Sequence, residues 1–458
     1  MAENQLSVSD VKIKQIMLWR PGTPKIDLTP HFGELNLYES VFHNSMTANL
    51  TLVEAVNLPE KFPILGEELI IIDFTVTGMP DGHDLNMNPL YMYVHELTNH
   101  KFLGPQGVAY SLKLVSEQYM NNIHARVSKS YSDKKTYQIA REIYFDYLNP
   151  QVRSHTSGLF QPTDRIEPCV IPNWTPYKAI DWLARRSNSL KNPKAANYVF
   201  YESLYGSSFV SLDILMQGES MCLFSLEPAF EDPGKVEHMK AGSVQCDYIH
   251  ILHEVETLRD INNGCYASKL ITHDIVTKKI LQHDYDLLES WDDTAHLSKF
   301  PPVNFIPLPL NKRPNNTFAP APTGKSPKLK GNRLSNCTDS AVMFAPKHNQ
   351  MFSKKPNHIY NNQVEDWKLQ RKSQLALIHG MKFEIQAGAM PWLRVGMCAD
   401  IHMMSPEAHR EHGTDRDNKL SGKCLITAIR HVISQQGGSQ EYKTQLELNK
   451  DGVERENV

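Results

Sequence analysis

The sequence of 458 residues predicts a mainly β protein with an α+β insert. It divides into two related small β-barrel domains, an α/β middle domain and a long Pro-rich extended segment. Three observations carry that prediction. Period-two alternation of apolar and polar residues recurs at both ends of the chain. Helical spacing is confined to the middle and to one stretch before the second β region. Residues 299–355 are rich in Pro, Asn, Lys and Gly and carry little periodicity.

The first β region spans residues 1–128. Met46–Glu54 sets Ala48, Leu50 and Leu52 against Thr47, Asn49 and Thr51. Leu69–Val76 puts Ile70, Ile72, Phe74 and Val76 on one face. Leu90–Leu97 and Val108–Ser116 complete the set, with Pro/Gly turns between the runs. Alternation of this kind marks half-buried antiparallel strands, and four of them predict a small barrel or sandwich.

Residues 129–298 form the middle region. In Ser132–Leu148, Tyr137, Ala140, Ile143, Tyr144, Tyr147 and Leu148 follow helical spacing, with Ser132 or Asp133 as N-cap and Asn149-Pro150 as terminator. Thr175–Arg186 reads as a second helix, capped by Thr175, with Pro176 at its first position and Ala179, Ile180 and Leu183 facing inward. Strands are expected at Tyr198–Glu202 and Phe209–Leu215. Strands between Leu215 and Lys279 fit either the insert or the second barrel.

Residues 299–362 read as a Pro-rich arm or linker that builds no core of its own. In residues 363–458, Gln363–His379 is a helix ended by Gly380. Alternating runs follow at Met381–Gln386, Arg394–Met403, Lys423–Ser434 and Tyr442–Asn449.

A formal net charge of −3 argues against nucleic-acid binding by bulk charge. The seven cysteines lack any CxxC pair and read as buried reduced thiols. The polar stretch Met1–Lys14 has no apolar signal core, and the apolar run near Leu69–Ile72 is too short to span a bilayer, so no membrane insertion is expected.

The two β regions repeat one order of parts. Each has an alternating strand, then a Pro/Gly turn (Pro63-Ile64-Leu65-Gly66 in one, Pro391 to Gly396 in the other). A second strand, a polar loop and a closing hairpin follow in both. Duplication has a geometric consequence: three copies of such a chain present six similar barrels in a ring.

In these parts the sequence resembles the baseplate hub proteins of contractile-tailed bacteriophages, whose fold also forms the hub half of type VI secretion spike proteins. The stretches that carry the likeness are Phe42–Leu52 followed by Pro63–Glu68, Ile171–Pro176 running into the helix that ends at Leu183, and Gly422–His431 through Leu446-Glu447-Leu448. The resemblance implies a structural virion protein of the tail baseplate, assembled in the host cytoplasm. It implies a homotrimer joining a six-fold tail tube protein to a three-fold central spike protein, touching tape-measure or baseplate wedge proteins. Phage DNA would pass its channel without specific binding, and no cofactor is implied. Another ring-forming tail protein (a distal tail or tube-initiator subunit) and a cell-wall-degrading tail enzyme are the alternatives.

The sequence otherwise offers little chemistry. His250-Ile251-Leu252-His253-Glu254 lacks the four-residue His spacing of a metallopeptidase helix. His402, His409 and His412 with Glu407, Glu411 and Asp415 read as a charged loop rather than a metal site. Asp284, Asp286, Asp292 and Asp293 lack the order of a calcium loop. No GxSxG, Walker loop or GxGxxG occurs, so no catalytic, cofactor or metal residue is assigned and no enzymatic activity is expected. The residues expected at interfaces are Leu69 and Ile71, from their two-sided hydrophobic strand, and Phe318, Phe344 and Phe352, from the Pro-rich arm. On that reading an Ile71→Asp chain folds but does not trimerise.

Overall fold

A computed structural model describes residues 11–66, 68–76, 89–104, 107–149, 159–226, 243–303, 310–312, 318–320, 338–347, 364–404, 417, 419–436 and 439–454. The first barrel is built from β1 (Val11–Trp19), with a two-residue partner β2 (Ile26–Asp27), β3 (Phe32–Ser40), β4 (Thr47–Glu54), β5 (Leu69–Val76), β6 (Leu90–Phe102) and β7 (Val108–Ser116); a one-turn helix α1 (Leu58–Lys61) precedes β5. Its strand order is β1-β5-β6-β7-β4-β3, with every pair antiparallel. Leu50, Leu52, Ile70, Ile72, Leu112 and Leu114 are fully buried, as their alternation requires. Glu68 is also fully buried, and its carboxylate accepts the backbone N–H groups of Leu65 (3.0 Å) and Gly66 (2.9 Å). That fixes the Pro/Gly turn leading into β5.

The middle region packs α2 (Glu117–His124), β8 (Val127–Tyr131), α3 (Thr136–Ile143), β9 (Cys169–Trp174), α4 (Pro176–Arg185), β10 (Tyr198–Ser203), β11 (Gly206–Ser211) and α5 (Leu212–Met216). α3 begins later than the sequence predicts. Lys135 rather than Ser132 or Asp133 is its N-cap, closed by a capping box in which the Gln138 side chain accepts the Lys135 N–H at 3.0 Å. Its last turn widens into a π-helix at Tyr144–Leu148. The strand expected at Phe209–Leu215 stops at Ser211. The Ser211 hydroxyl accepts the Ile214 N–H at 3.3 Å, and this N-cap starts α5 instead.

The second barrel is closed. β12 (Ser220–Ser225) and β13 (Ser243–His253) come from the chain before the Pro-rich arm. Next are α6 (Thr257–Asn262), then β14 (Ala267–His273), β15 (Ile280–Asp286) and α7 (Leu287–Ser290). Within the arm, β16 (Leu310–Lys312) pairs with β17 (Phe318–Pro320), and β18 (Val342–Pro346) joins β14 in parallel. After α8 (Lys368–Leu377) come β19 (Met381–Ala387), β20 (Cys398–His402), β21 (Gly422–Gln436) and β22 (Ser439–Lys450). The circuit runs β21-β20-β12-β13-β19-β22 and back to β21. Arg371, half-buried, locks α8 to the middle region by donating to the carbonyls of Ala184 (3.2 Å), Ala196 (3.0 Å) and Tyr198 (2.8 Å). Among the described residues no helix is long and apolar enough to cross a membrane.

Candidate functional site

The hairpin β21–β22 joins the two barrels. The proximal half of β21 pairs with β20 over Gly422–Leu425, and its distal half pairs with β3 from Ala428↔Ser40 to Ser434↔Glu34. Ile433 and Tyr442, at the far end of the β21–β22 hairpin, belong to the core of the first barrel. The Gln440 side chain also accepts the Ile13 N–H of β1 at 2.8 Å. The joint has a polar centre. His431 is 1% exposed; its Nδ1 lies 2.7 Å from the Tyr442 hydroxyl and its Nε2 3.6 Å from Glu39 Oε1. Glu39 also accepts the Leu204 N–H at 3.0 Å, so first barrel, second barrel and middle region meet at one carboxylate.

The four strands that follow the opening of each barrel pair identically. β4 pairs with β7, β5 with β6 and β6 with β7; β19 pairs with β22, β20 with β21 and β21 with β22; all are antiparallel. Local detail repeats as well. β6 carries an extra residue, His95, between Val94↔Leu114 and Glu96↔Lys113. β21 carries an extra residue, Thr427, between Ile426↔Leu448 and Ala428↔Glu447. Such bulges re-aim a strand and are specific features of a fold. Before each bulge the Val94 N–H donates to Glu68 O and the Ile426 N–H to Met397 O, both at 2.9 Å. The turns before β5 and β20 both use a glycine at positive φ, Gly66 (+99°) and Gly396 (+86°). The barrels differ on one side: β1 is antiparallel to β5, whereas β12 runs parallel to β20.

The structure separates the expected interface residues. Leu69 and Ile71 do point away from the core side of β5, but they are only 6% and 7% exposed. They sit in outward ladders, Trp19–Leu69–Tyr93–Val115 and Met17–Ile71–Tyr91. Met17, Trp19, Tyr91 and Tyr93 are half-buried, so this face meets solvent through them and not through Leu69 or Ile71. Phe344 is 70% exposed on the sheet β15-β14-β18, opposite Ile271. Phe318 lies on β17, with its side chain outside the description, and Phe352 lies outside the described residues. The sequence signal missed the joint itself: His431 ends a stretch that carries the resemblance, but nothing in its pattern pairs it with Glu39, near the opposite end of the chain.

Candidate chemistry is sparse. The six described cysteines are all buried. Burial pushes the thiols of Cys169, Cys222, Cys246 and Cys424 up to about 12 and that of Cys398 to about 11, which keeps them protonated. Among the described residues no group of three or more His, Cys, Asp or Glu side chains is placed to hold a metal. His409, His412, Glu407, Glu411 and Asp415 lie outside the described residues, while His250 and His253 lie on β13, a strand and not a helix. Asp286 caps α7 by accepting the Leu288 N–H at 2.9 Å.

One arrangement looks like a hydrolase triad. His296 Nδ1 is 2.8 Å from Asp451 Oδ2, and its Nε2 is 3.2 Å from the Thr294 hydroxyl. The same Nε2 is closer, at 2.8 Å, to the Trp291 carbonyl, which can only accept. Nε2 therefore carries a proton and cannot take one from Thr294. The ring, stacked on Trp291 at 3.5 Å, ties the end of β22 to the segment after α7.

No protein-family model and no curated protein sequence matches the chain. Solved structures do. A tail protein from Neisseria meningitidis MC58 aligns with TM-score 0.51 and 10% identity, over 96% of this chain and 97% of its own. The 43 kDa tail protein of prophage MuSo2 from Shewanella oneidensis aligns with TM-score 0.50 and 9% identity, over 96% of this chain and 99% of its own. At such identity the likeness is one of fold, and it agrees with the resemblance that the sequence carries: over 96% of its length this chain shares the fold of these two tail proteins.

Proposed function

We propose that the chain is a structural tail protein, a hub of which three copies form a ring joining a six-fold tail tube to a three-fold central spike. The observation that carries this reading is the repeated strand pairing with its repeated bulge. One chain then offers two similar seats, and three chains offer six, which suits a six-fold partner on one face and a three-fold partner on the other. The same reading places it in the virion baseplate, with tube, spike and tape-measure or wedge proteins as neighbours, and phage DNA passing the channel without specific contact. Sedimentation of the purified chain tests it. A mass of three chains is expected; a stable monomer, or six copies as in a distal tail or tube-initiator ring, overturns it.

A further inference from the structure

We infer that, in the ring proposed above, the distal half of β6 pairs edge to edge with β13 of the next copy, repeating between chains the joint that β21 and β3 make within one. The equivalences follow from the shared pairing. Counting from the bulges, Glu96, Leu97 and Thr98 of β6 correspond to Ala428, Ile429 and Arg430 of β21. β3 and β13 are the strands that flank β4 and β19, and Leu35 and Leu37 in the first correspond to Ile249 and Ile251 in the second. Inside the chain, Ala428–Ser434 pairs with Glu34–Ser40. The matching segments are open among the described residues. β5 pairs with β6 only over Leu90–Tyr93, so the β6 backbone from Glu96 onward has β7 on one side and no strand on the other. β12 pairs with β13 only over Ser243–Gln245, so the stretch to His253 has β19 on one side and no strand on the other.

Open edges with apolar side chains are templates for pairing with another chain. Both edges here are of that kind. Ile251 and Leu252 are 40% and 52% exposed on β13, and Phe102 and Leu103 at the end of β6 are 72% and 56% exposed. In the internal joint the corresponding hairpin end sends Ile433 and Tyr442 into the neighbouring barrel's core. The β6–β7 tip would likewise be covered by the next copy. A second irregularity between Thr98 and Lys101, with Asn99 at φ +55°, bends β6 and concentrates the pairing on Glu96–Thr98. Because the two edges differ, the contact is head-to-tail, and a ring results when it closes after three copies.

The test places cysteines at Thr98 and His253, the equivalents of Arg430 and Tyr38, whose side chains meet on the outer face of the internal joint. In the full-length T98C/H253C chain, oxidation is expected to give covalent dimers and trimers on a non-reducing gel, and neither single variant should do so. Hydrogen exchange on the unmodified protein is the second measurement. The amides of Glu96–Thr98 and His250–His253 should exchange slowly in the assembled ring. A protein that sediments as a trimer yet fails to cross-link and exchanges these amides freely overturns the edge pairing and leaves the ring standing. A protein that sediments as a monomer overturns both.

Discussion

The Tyr442 hydroxyl sits 2.7 Å from His431 Nδ1, inside the strand joint that ties the two barrels together. Tyr442 is 2% exposed and His431 1%, so water does not reach the pair. Tyr442→Phe removes the partner of a buried ring nitrogen while keeping the aromatic packing. The expected cost is about 1–3 kcal/mol, read as a lower urea midpoint with an unchanged slope. An unchanged midpoint would show that the hydroxyl contributes nothing to the joint.

The two equivalent turn glycines should not be equally replaceable. An added Cβ at Gly66 has only the Val94 carbonyl at 3.9 Å, so Gly66→Ala carries the positive-φ strain alone, about 1–2 kcal/mol. At Gly396 the same Cβ would lie 2.7 Å from the hydroxyl of Tyr201, which is buried. Gly396→Ala should therefore lower the melting temperature more than Gly66→Ala, and a reversed order would contradict the packing described around Tyr201.

Stability should fall in mild acid, partly through His379. Burial, opposed by Glu447, holds its pKa below the ordinary 6.5. The ring lies 4.7 Å from Phe42, and its Nδ1 is 3.3 Å from Asn449. The unfolded chain therefore binds a proton at this histidine before the folded chain does. The contribution is fully present above 6.5 and is lost as pH falls from there through the folded value. His379→Gln should flatten the pH dependence of the unfolding free energy in that window; an identical pH profile would exclude His379 as its source.

Ile71→Asp should now do more than block association. The residue is 7% exposed between Met17 and Tyr91, so the carboxylate would be largely desolvated on folding. A loss on the order of 3 kcal/mol is expected, visible as a lower denaturation midpoint in dilute protein. Tyr91→Asp, on the half-buried side of the same ladder, should cost less and is the better probe of that face.

Much of the fold was legible where alternation is clean. The bounds of β5 and β7 coincide with the alternating runs Leu69–Val76 and Val108–Ser116. β1 was not, because a register shift between Ile13 and Gln15 breaks its period: Ile13 and Ile16 both face the core. β3 hides behind Glu39, a carboxylate at an inward position whose partners come from β21 and the β10–β11 turn. The low exposure of Leu69 and Ile71 has a physical reason. Hydrophobicity on both faces of a strand signals two-sided burial, and here neighbouring side chains of the same chain supply the second cover. The two open edges left no trace in the sequence, since which backbone groups lack a partner is decided by strands far away in the chain.

The central claim is that one chain carries two equivalent barrels and that three chains complete a ring of six. Electron-microscope images of the purified protein viewed down the ring axis test it most directly. The account predicts six lobes around a pore, alternating in shape because β1 and β12 run in opposite directions relative to their neighbours. Two-lobed particles without a pore, or a ring with six identical two-barrel subunits, would contradict it.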